Sequence, residues 1–199
     1  MNKVKIAVLI SGGGTNLQAL IDYEKSGKLN SGSIQLVATT NENSYGLKRA
    51  EAENIPTFLY EEEPQLINKL KEEEIDLIVL AGFLKILSPE FIFQFKNRII
   101  NIHPALLPSF GGKGCYGIHV HEKALDYGVK VSGATVHFVN EIPDGGKIIS
   151  QKAVNVLDDD TPETLQHRIM EEAEWIILPE AVEKISRSIL EEFNGGKNE

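Results

Sequence analysis

The sequence predicts an α/β protein built on a single doubly wound, mostly parallel sheet with an antiparallel excursion at one edge. Three observations carry that expectation. Apolar runs of strand length alternate with longer amphipathic stretches along most of the 199 residues, the pattern of parallel strands buried on both faces by crossover helices. The first apolar run stops at Ser11-Gly12-Gly13-Gly14, and helical spacing begins directly after it. Near the other end, Ile142-Pro143-Asp144-Gly145-Gly146 separates two β-rich runs, and turn chemistry of that kind predicts an antiparallel pair.

Residues 4–10 form the first strand, and Leu17, Leu20 and Ile21 then recur at helical spacing, so a glycine loop opens a helix. Residues 34–40 read as a strand, 44–53 as a helix, 57–60 as a short strand and 64–74 as an acidic helix. The near-continuous apolar run at 75–81 fits a central strand covered on both faces. Ser88, Pro89 and Glu90 supply an N-cap, a first-turn proline and a carboxylate at the positive end of a helix dipole. Residues 98–103 are the next strand, stopped by Pro104. The segment 104–118, with Pro104, Pro108, Gly111, Gly112, Gly114 and Gly117, is a long loop of the functional or mobile kind. A short helix at 119–127, a β-rich run at 129–140, the turn and a strand at 147–156 follow. Thr161-Pro162-Glu163 opens a final helical region running through Trp175 to about Phe193, and 194–199 are expected to fray. No repeat or linker interrupts the chain, which predicts one domain over 1–199.

Composition removes several function classes. Twenty Lys plus Arg against 29 Asp plus Glu gives 20 − 29 = −9, a balance that repels phosphate backbones and anionic membranes at long range. Nucleic-acid and membrane partners are therefore disfavoured. The single cysteine, Cys115, permits neither an internal disulfide nor a Cys-cluster zinc site. No apolar run reaches the ~18 residues of a membrane span, and the amino terminus carries no cleavage signal. A cytoplasmic protein is expected.

Two motifs carry candidate chemistry. Successive glycines between a strand and a helix bring backbone N–H groups near an anion at the positive helix end. That makes 12–16 a phosphate cradle, although a dinucleotide loop or a purely structural turn would use the same letters. Leu17 stands where a dinucleotide fingerprint wants a small residue, and no Walker lysine is present. The second motif is Asn101-Ile102-His103-Pro104 at a strand end. Side chains alternate along a strand, so Asn101 and His103 share a face and converge on one point. Asp144 would complete such a site with a carboxylate, yet Asp-Gly-Gly is also a favoured turn on conformational grounds alone. His137 either lines the site or caps a core edge. His119 and His121, two residues apart, do not share a helix face and lack a third ligand, so no metal is expected.

With these motifs in hand, the chain is seen to resemble the phosphoribosylglycinamide formyltransferases, folate-dependent enzymes of purine synthesis. Residues 10–18, 80–89, 101–110, 136–139 and 144–146 carry the likeness in the same order along nearly the whole chain. The resemblance implies a Rossmann-like formyltransferase fold and a catalytic group of Asn101, His103 and Asp144. It implies that Gly14, Thr15, Asn16 and Glu174 hold glycinamide ribonucleotide. It also implies that the co-substrate 10-formyltetrahydrofolate lies against Leu84, Lys85, Ile86, Leu87, Asn101, Asn140, Glu141, Ile142, Pro143 and Asp144. Three departures stand out: Lys85 where many relatives have Arg, exchanging a bidentate donor for a point charge, Trp175 in place of a usual His, and a stretch 111–118 longer than in the shorter members of the family. On this reading Asp144 raises the His103 pKa and relays protons while His103 and Asn101 stabilise an oxyanion. Rivals are a formyltetrahydrofolate hydrolase, whose relatives carry a further amino-terminal domain, and a methionyl-tRNA formyltransferase, which adds a carboxyl-terminal RNA-binding domain. A nucleotide-binding module without turnover is the third.

Overall fold

The structure, a computed structural model, describes residues 3–195. Its seven strands are β1 (Val4–Leu9), β2 (Gly32–Thr39), β3 (Thr57–Leu59), β4 (Leu77–Leu80), β5 (Ile99–His103), β6 (Val131–Phe138) and β7 (Ile148–Asn155). They form a mostly parallel sheet in the order β3-β2-β1-β4-β5-β6-β7. The helices are α1 (Thr15–Lys25), α2 (Tyr45–Ala52), α3 (Glu63–Glu72), α4 (Pro89–Gln94), α5 (Ile118–Tyr127), α6 (Pro162–Ile169) and α7 (Trp175–Gly195). Every element expected from the sequence is present. Two differences concern the carboxyl-terminal region. A π-helical turn, Met170–Glu174, separates α6 from α7, and Asn194 and Gly195, expected to fray, belong to α7. The rest of the expected frayed tail, 196–199, lies outside the described residues.

The chain divides into two compact units, residues 1–83 with 179–199, and residues 84–178. In the first, β1 pairs parallel with β2 and β4, and β2 pairs parallel with β3. The strand order reverses between β1 and β4, and open α/β sheets bind ligands at the carboxyl ends of strands at such a point. All four residues of β4 are buried, as its apolar run requires of a strand covered on both faces. Leu17, Leu20 and Ile21 of α1 and Leu66 and Leu70 of α3 supply buried side chains at helical spacing. Buried Glu183 of α7 accepts from the Ser31 N–H at 2.9 Å and the Ser31 hydroxyl at 2.9 Å, so its charge enters the core with partners already in place.

In the second unit, β5 pairs antiparallel with β6, and β6 with β7. The sheet edge therefore turns antiparallel where the 142–146 turn predicts it. Ser88 caps α4, its hydroxyl oxygen accepting from the Phe91 N–H at 3.1 Å, and the Phe91 and Phe95 rings of that segment pack at a tilt of 43° with centroids 5.0 Å apart. Thr161 caps α6 in the same way, with Pro162 in the first turn. Just beyond it, the Arg168 guanidinium grips Asp160 through two contacts of 2.6 Å, which holds the Asp160 carboxyl at a pKa of about 2.

Candidate active site

The glycine loop joins β1 to α1. Only Gly14 needs the left-handed backbone, with φ +69; the other two glycines have no positive φ, and a Cβ at Gly12 or Gly13 would meet nothing within 4 Å. The three glycines thus serve different ends, one a turn and two an open approach. Gly14 also packs where a Cβ would come 2.6 Å from the Gly46 Cα of α2. No side chain caps the α1 amino terminus, and its first turn carries no acidic residue, which leaves the positive end of the helix dipole for an anion. Thr15 and Asn16 are the first two residues of α1.

A second cluster grows from the register of β5 on β6. Asn101 lies opposite His137 and His103 opposite Thr135, and the two-residue period puts all four polar side chains on one face. His103 and His137 are buried, at 4% and 2% exposure. Asp144 joins them from the β6–β7 turn, where it holds a left-handed φ of +56. A non-glycine residue in that region stores strain, a feature that concentrates at functional sites. Asn140 closes the turn, accepting from the Ile142 N–H at 3.0 Å and donating to the Gly145 carbonyl at 3.3 Å. The two sequence readings of Asp-Gly-Gly are therefore both realised: it makes the turn, and the turn delivers the carboxylate.

One carboxylate oxygen, Asp144 Oδ1, stands 3.6 Å from His103 Nδ1 and 3.6 Å from His137 Nε2. Asp144 Oδ2 accepts from the Gly112 N–H at 2.8 Å. The His103 Nε2–H points to the Phe110 carbonyl at 2.9 Å, and Phe110 itself has a left-handed φ of +53. His137 donates from Nδ1 to the Phe138 carbonyl at 2.8 Å, and its Nε2 lies 3.1 Å from the Asn101 amide nitrogen. Below this layer, Thr135 Oγ1 donates to the Ala105 carbonyl at 2.6 Å and accepts from the Leu107 N–H at 3.1 Å. Gln151 on β7 donates to both Thr135 Oγ1 and the Leu107 carbonyl. These bonds pin the start of the 104–118 loop that carries Phe110 and Gly112.

Burial pushes the His103 pKa below its ordinary value, against the opposing pull of Asp144 and the Phe110 carbonyl. Asp144 alone, as the sequence reading had it, would raise that pKa; here desolvation of the ring outweighs the carboxylate. Burial also opposes ionisation of Asp144, but the His137 and His103 rings and the Gly112 N–H together hold its carboxyl below the usual aspartate value. An ionised carboxylate beside a neutral imidazole at pH 7 is the resulting ground state, a pair ready to take up one proton.

The remaining expected site residues fall as follows. Leu84 and Ile86 are exposed at 58% and 78%, large apolar side chains offered to solvent, whereas the Leu87 side chain is buried. Lys85, Asn140, Glu141, Ile142 and Pro143 are exposed. Glu174 is buried in the π-helical turn, and the indole nitrogen of the adjacent Trp175 is buried without a hydrogen-bond partner. His119 pairs with Glu122 at 2.7 Å in solvent, while His121 on the same helix is fully buried, as their two-residue spacing requires. Among the described residues no group of three or more His, Cys, Asp or Glu is arranged to hold a metal, and no helix is long and apolar enough to cross a membrane. His137, left open between lining the site and capping a core edge, stands beside Asp144, and Thr135 and Gln151 are the neighbours that the sequence did not single out.

The family profile described as "Formyl transferase" matches residues 4–182. The chain is 41% identical over 178 residues to phosphoribosylglycinamide formyltransferase, chloroplastic, of Arabidopsis thaliana, covering 84% of this chain and 61% of that protein. It is 40% identical to the phosphoribosylglycinamide formyltransferase of Haemophilus influenzae, covering 88% of this chain and 84% of the relative. The crystal structure of glycinamide ribonucleotide transformylase 1 from Symbiobacterium toebii superposes with a TM-score of 0.86 at 38% identity, over 94% of this chain and 89% of that one. The chain thus spans less than two thirds of its plant relative's length and most of the bacterial one's.

Proposed function

The chain belongs to the formyl transferase family, and from that premise we propose that it transfers the formyl group of 10-formyltetrahydrofolate to the amine of glycinamide ribonucleotide, a step of purine synthesis. The observation that carries the reading is the Asp144 carboxylate set 3.6 Å from each of two buried imidazoles, with the Asn101 amide alongside. That arrangement suits a reaction that creates an oxyanion and moves one proton, with no covalent attachment to the enzyme.

In the proposed reaction the neutral amine attacks the formyl carbon. A C–N bond forms, the carbonyl electron pair becomes an oxyanion, and the attacking nitrogen gains positive charge. Asp144, ionised in the ground state, accepts the surplus amine proton through water and passes it to the folate nitrogen as its bond to the formyl carbon breaks. His103 and the Asn101 amide donate to the oxyanion. In the free protein the Nε2–H of His103 is given to the Phe110 carbonyl; an oxyanion is the stronger acceptor and competes for it. The same negative charge favours protonation of a ring that burial keeps neutral beforehand. His103 then acquires charge when the transition state needs it rather than carrying it throughout.

Phosphate binding is assigned to Gly14, Thr15 and Asn16 at the open helix end, with Glu174 contributing to the ribonucleotide. The folate is assigned to the exposed apolar pair Leu84 and Ile86, to Lys85, to Asn101, and to the 140–144 turn. Leu87, with its side chain in the core, contributes through backbone only. Both substrates are small molecules, no metal takes part, and the proposed compartment is the cytoplasm.

A turnover assay with 10-formyltetrahydrofolate, run with and without glycinamide ribonucleotide, tests the reading. Tetrahydrofolate released only when the ribonucleotide is present supports it. Equal release without the ribonucleotide makes the protein a hydrolase, and no release in either case makes it a binding module.

A further inference from the structure

The segment just after β2 grips the glycine loop. The amide nitrogen of Asn41 donates to the Ser11 carbonyl at 3.2 Å. The Ser44 hydroxyl and the Gly46 N–H both donate to the Gly12 carbonyl, at 2.7 and 3.1 Å. Arg49, on the last turn of α2, donates from Nε to the Gly13 carbonyl at 2.9 Å. Three consecutive carbonyls are thus held from one side by four donors within nine residues of sequence.

A trans peptide fixes what the opposite side must look like. The C=O of one residue and the N–H of the next point in opposite directions, so holding the carbonyls of Ser11, Gly12 and Gly13 turns the N–H groups of Gly12, Gly13 and Gly14 the other way. A Cβ at Gly12 or Gly13 would meet nothing within 4 Å, so the two glycines are not demanded by packing and instead leave the backbone uncovered by side chains of their own. Arg49 is distinctive among the four donors. Its Nη1 also donates to Gln18 Oε1 on α1 at 3.0 Å, so one planar fork ties the loop to the first turns of the helix it opens. Gln18 in turn donates to Asp22 at 2.9 Å, and the guanidinium lies 5.2 Å from the Tyr45 ring centroid, within cation–π range. Lysine could supply the charge and one bond but not the rigid two-point fork.

We propose that Arg49 is the positioning residue of the anion cradle: by clamping the Gly13 carbonyl and Gln18 together it sets the row of loop N–H groups that receives a phosphate monoester. The inference rests on the reading above that this loop holds the phosphate of the ribonucleotide, and it assigns Arg49 no contact with substrate. Its guanidinium also adds fixed positive charge behind the loop, in the sense of the helix dipole.

The test compares Arg49→Met and Arg49→Lys with the unaltered protein in steady-state kinetics, varying each substrate, with inorganic phosphate as a competing ligand. For Arg49→Met the expected result is an approximately 10-fold rise in KM for the ribonucleotide. The phosphate inhibition constant rises by the same factor, KM for the folate is unmoved, and kcat changes less than about twofold. Arg49→Lys falls between, because it restores the charge and one of the two bonds. A dephosphorylated ribonucleoside used as the acceptor separates this inference from the reading beneath it. If the unaltered protein uses the ribonucleoside as well as the ribonucleotide and phosphate does not compete, the phosphate reading is wrong. If phosphate matters in the unaltered protein yet Arg49→Met leaves ribonucleotide KM unchanged, or raises KM for ribonucleotide and ribonucleoside equally, the role given to Arg49 is wrong. Should Arg49→Met not fold, Arg49→Lys carries the test, and an unchanged phosphate inhibition constant there overturns the proposal.

Discussion

At the glycine loop, the side chains of Asn41, Ser44 and Arg49 and the Gly46 N–H grip backbone carbonyls, and the proposed ligand meets backbone N–H groups; around Asp144, backbone groups grip side chains, to which the proposed chemistry falls. Phe110 and Phe138 carbonyls orient the two imidazoles, and the Gly112 N–H orients the carboxylate. Under the proposed function, the difference follows from what each place would have to do. A phosphate carries its charge before and after the reaction, so fixed amide dipoles suffice. A reacting amine and an oxyanion change charge within one turnover, so titratable groups are needed, and their protonation must be tuned by burial against neighbouring charge. Damage to the first region is therefore expected in ribonucleotide KM and damage to the second in kcat.

The largest effect expected is on the chemical step. His103→Gln removes a donor that can take up charge, and kcat should fall at least about 100-fold with ribonucleotide affinity retained; pre-steady-state kinetics that show an unslowed transfer step would break the contrast. The glycine loop sharpens it. Gly14→Ala forces a Cβ into a left-handed position and to 2.6 Å from the Gly46 backbone, a cost of roughly 1–3 kcal/mol visible in thermal melting. Gly12→Ala meets no protein atom within 4 Å, so its melting temperature should stay near normal while ribonucleotide KM rises as the methyl enters the approach to the backbone. If Gly12→Ala and Gly14→Ala lost stability equally, the division between a structural and an open glycine would be wrong.

A smaller effect lies in pH. His121 on α5 is fully buried, neither ring nitrogen has a hydrogen-bond partner, and burial pushes its pKa down to about 4, with His103 adding to the fall. Above pH 6.5 the ring is neutral folded or unfolded and contributes no pH dependence. Between about pH 6.5 and 4 the unfolded chain binds the proton and the folded one does not, so stability declines across that window, by about 3 kcal/mol at its end, and levels off below it. Denaturant titrations of His121→Leu should flatten the slope between pH 6 and 4.5; an unchanged slope would assign the acid sensitivity to other groups.

Strand and helix assignments were legible because the signals were local: apolar run length at 75–81, Ser88 with Pro89, Thr161 with Pro162. Asn101 and His103 were legible for the same reason, since alternation along one strand places them together. His137 was left open between two readings, because its place beside Asn101 depends on the register of β6 on β5, which a sequence does not state. Thr135 and Gln151 were hidden twice over, needing the β5–β6 and β6–β7 registers together. The direction of the His103 pKa shift also escaped, since a neighbouring carboxylate can be guessed from sequence whereas the extent of desolvation cannot. The π-helical turn at Met170–Glu174 left no mark in an apolar pattern that reads as continuous helix, and the grip of Arg49 on Gly13 spans 36 residues of sequence.

The division between binding and chemistry is tested most directly on Asp144→Asn, which keeps the size of the side chain and an oxygen for the Gly112 N–H while removing the charge between the imidazoles. Single-turnover formyl transfer and calorimetric binding of glycinamide ribonucleotide should be measured on the same preparation. Transfer should slow about 1,000-fold, with ribonucleotide Kd within about threefold of normal. Near-normal transfer by Asp144→Asn, or a loss of ribonucleotide binding as large as the loss of rate, would contradict that division.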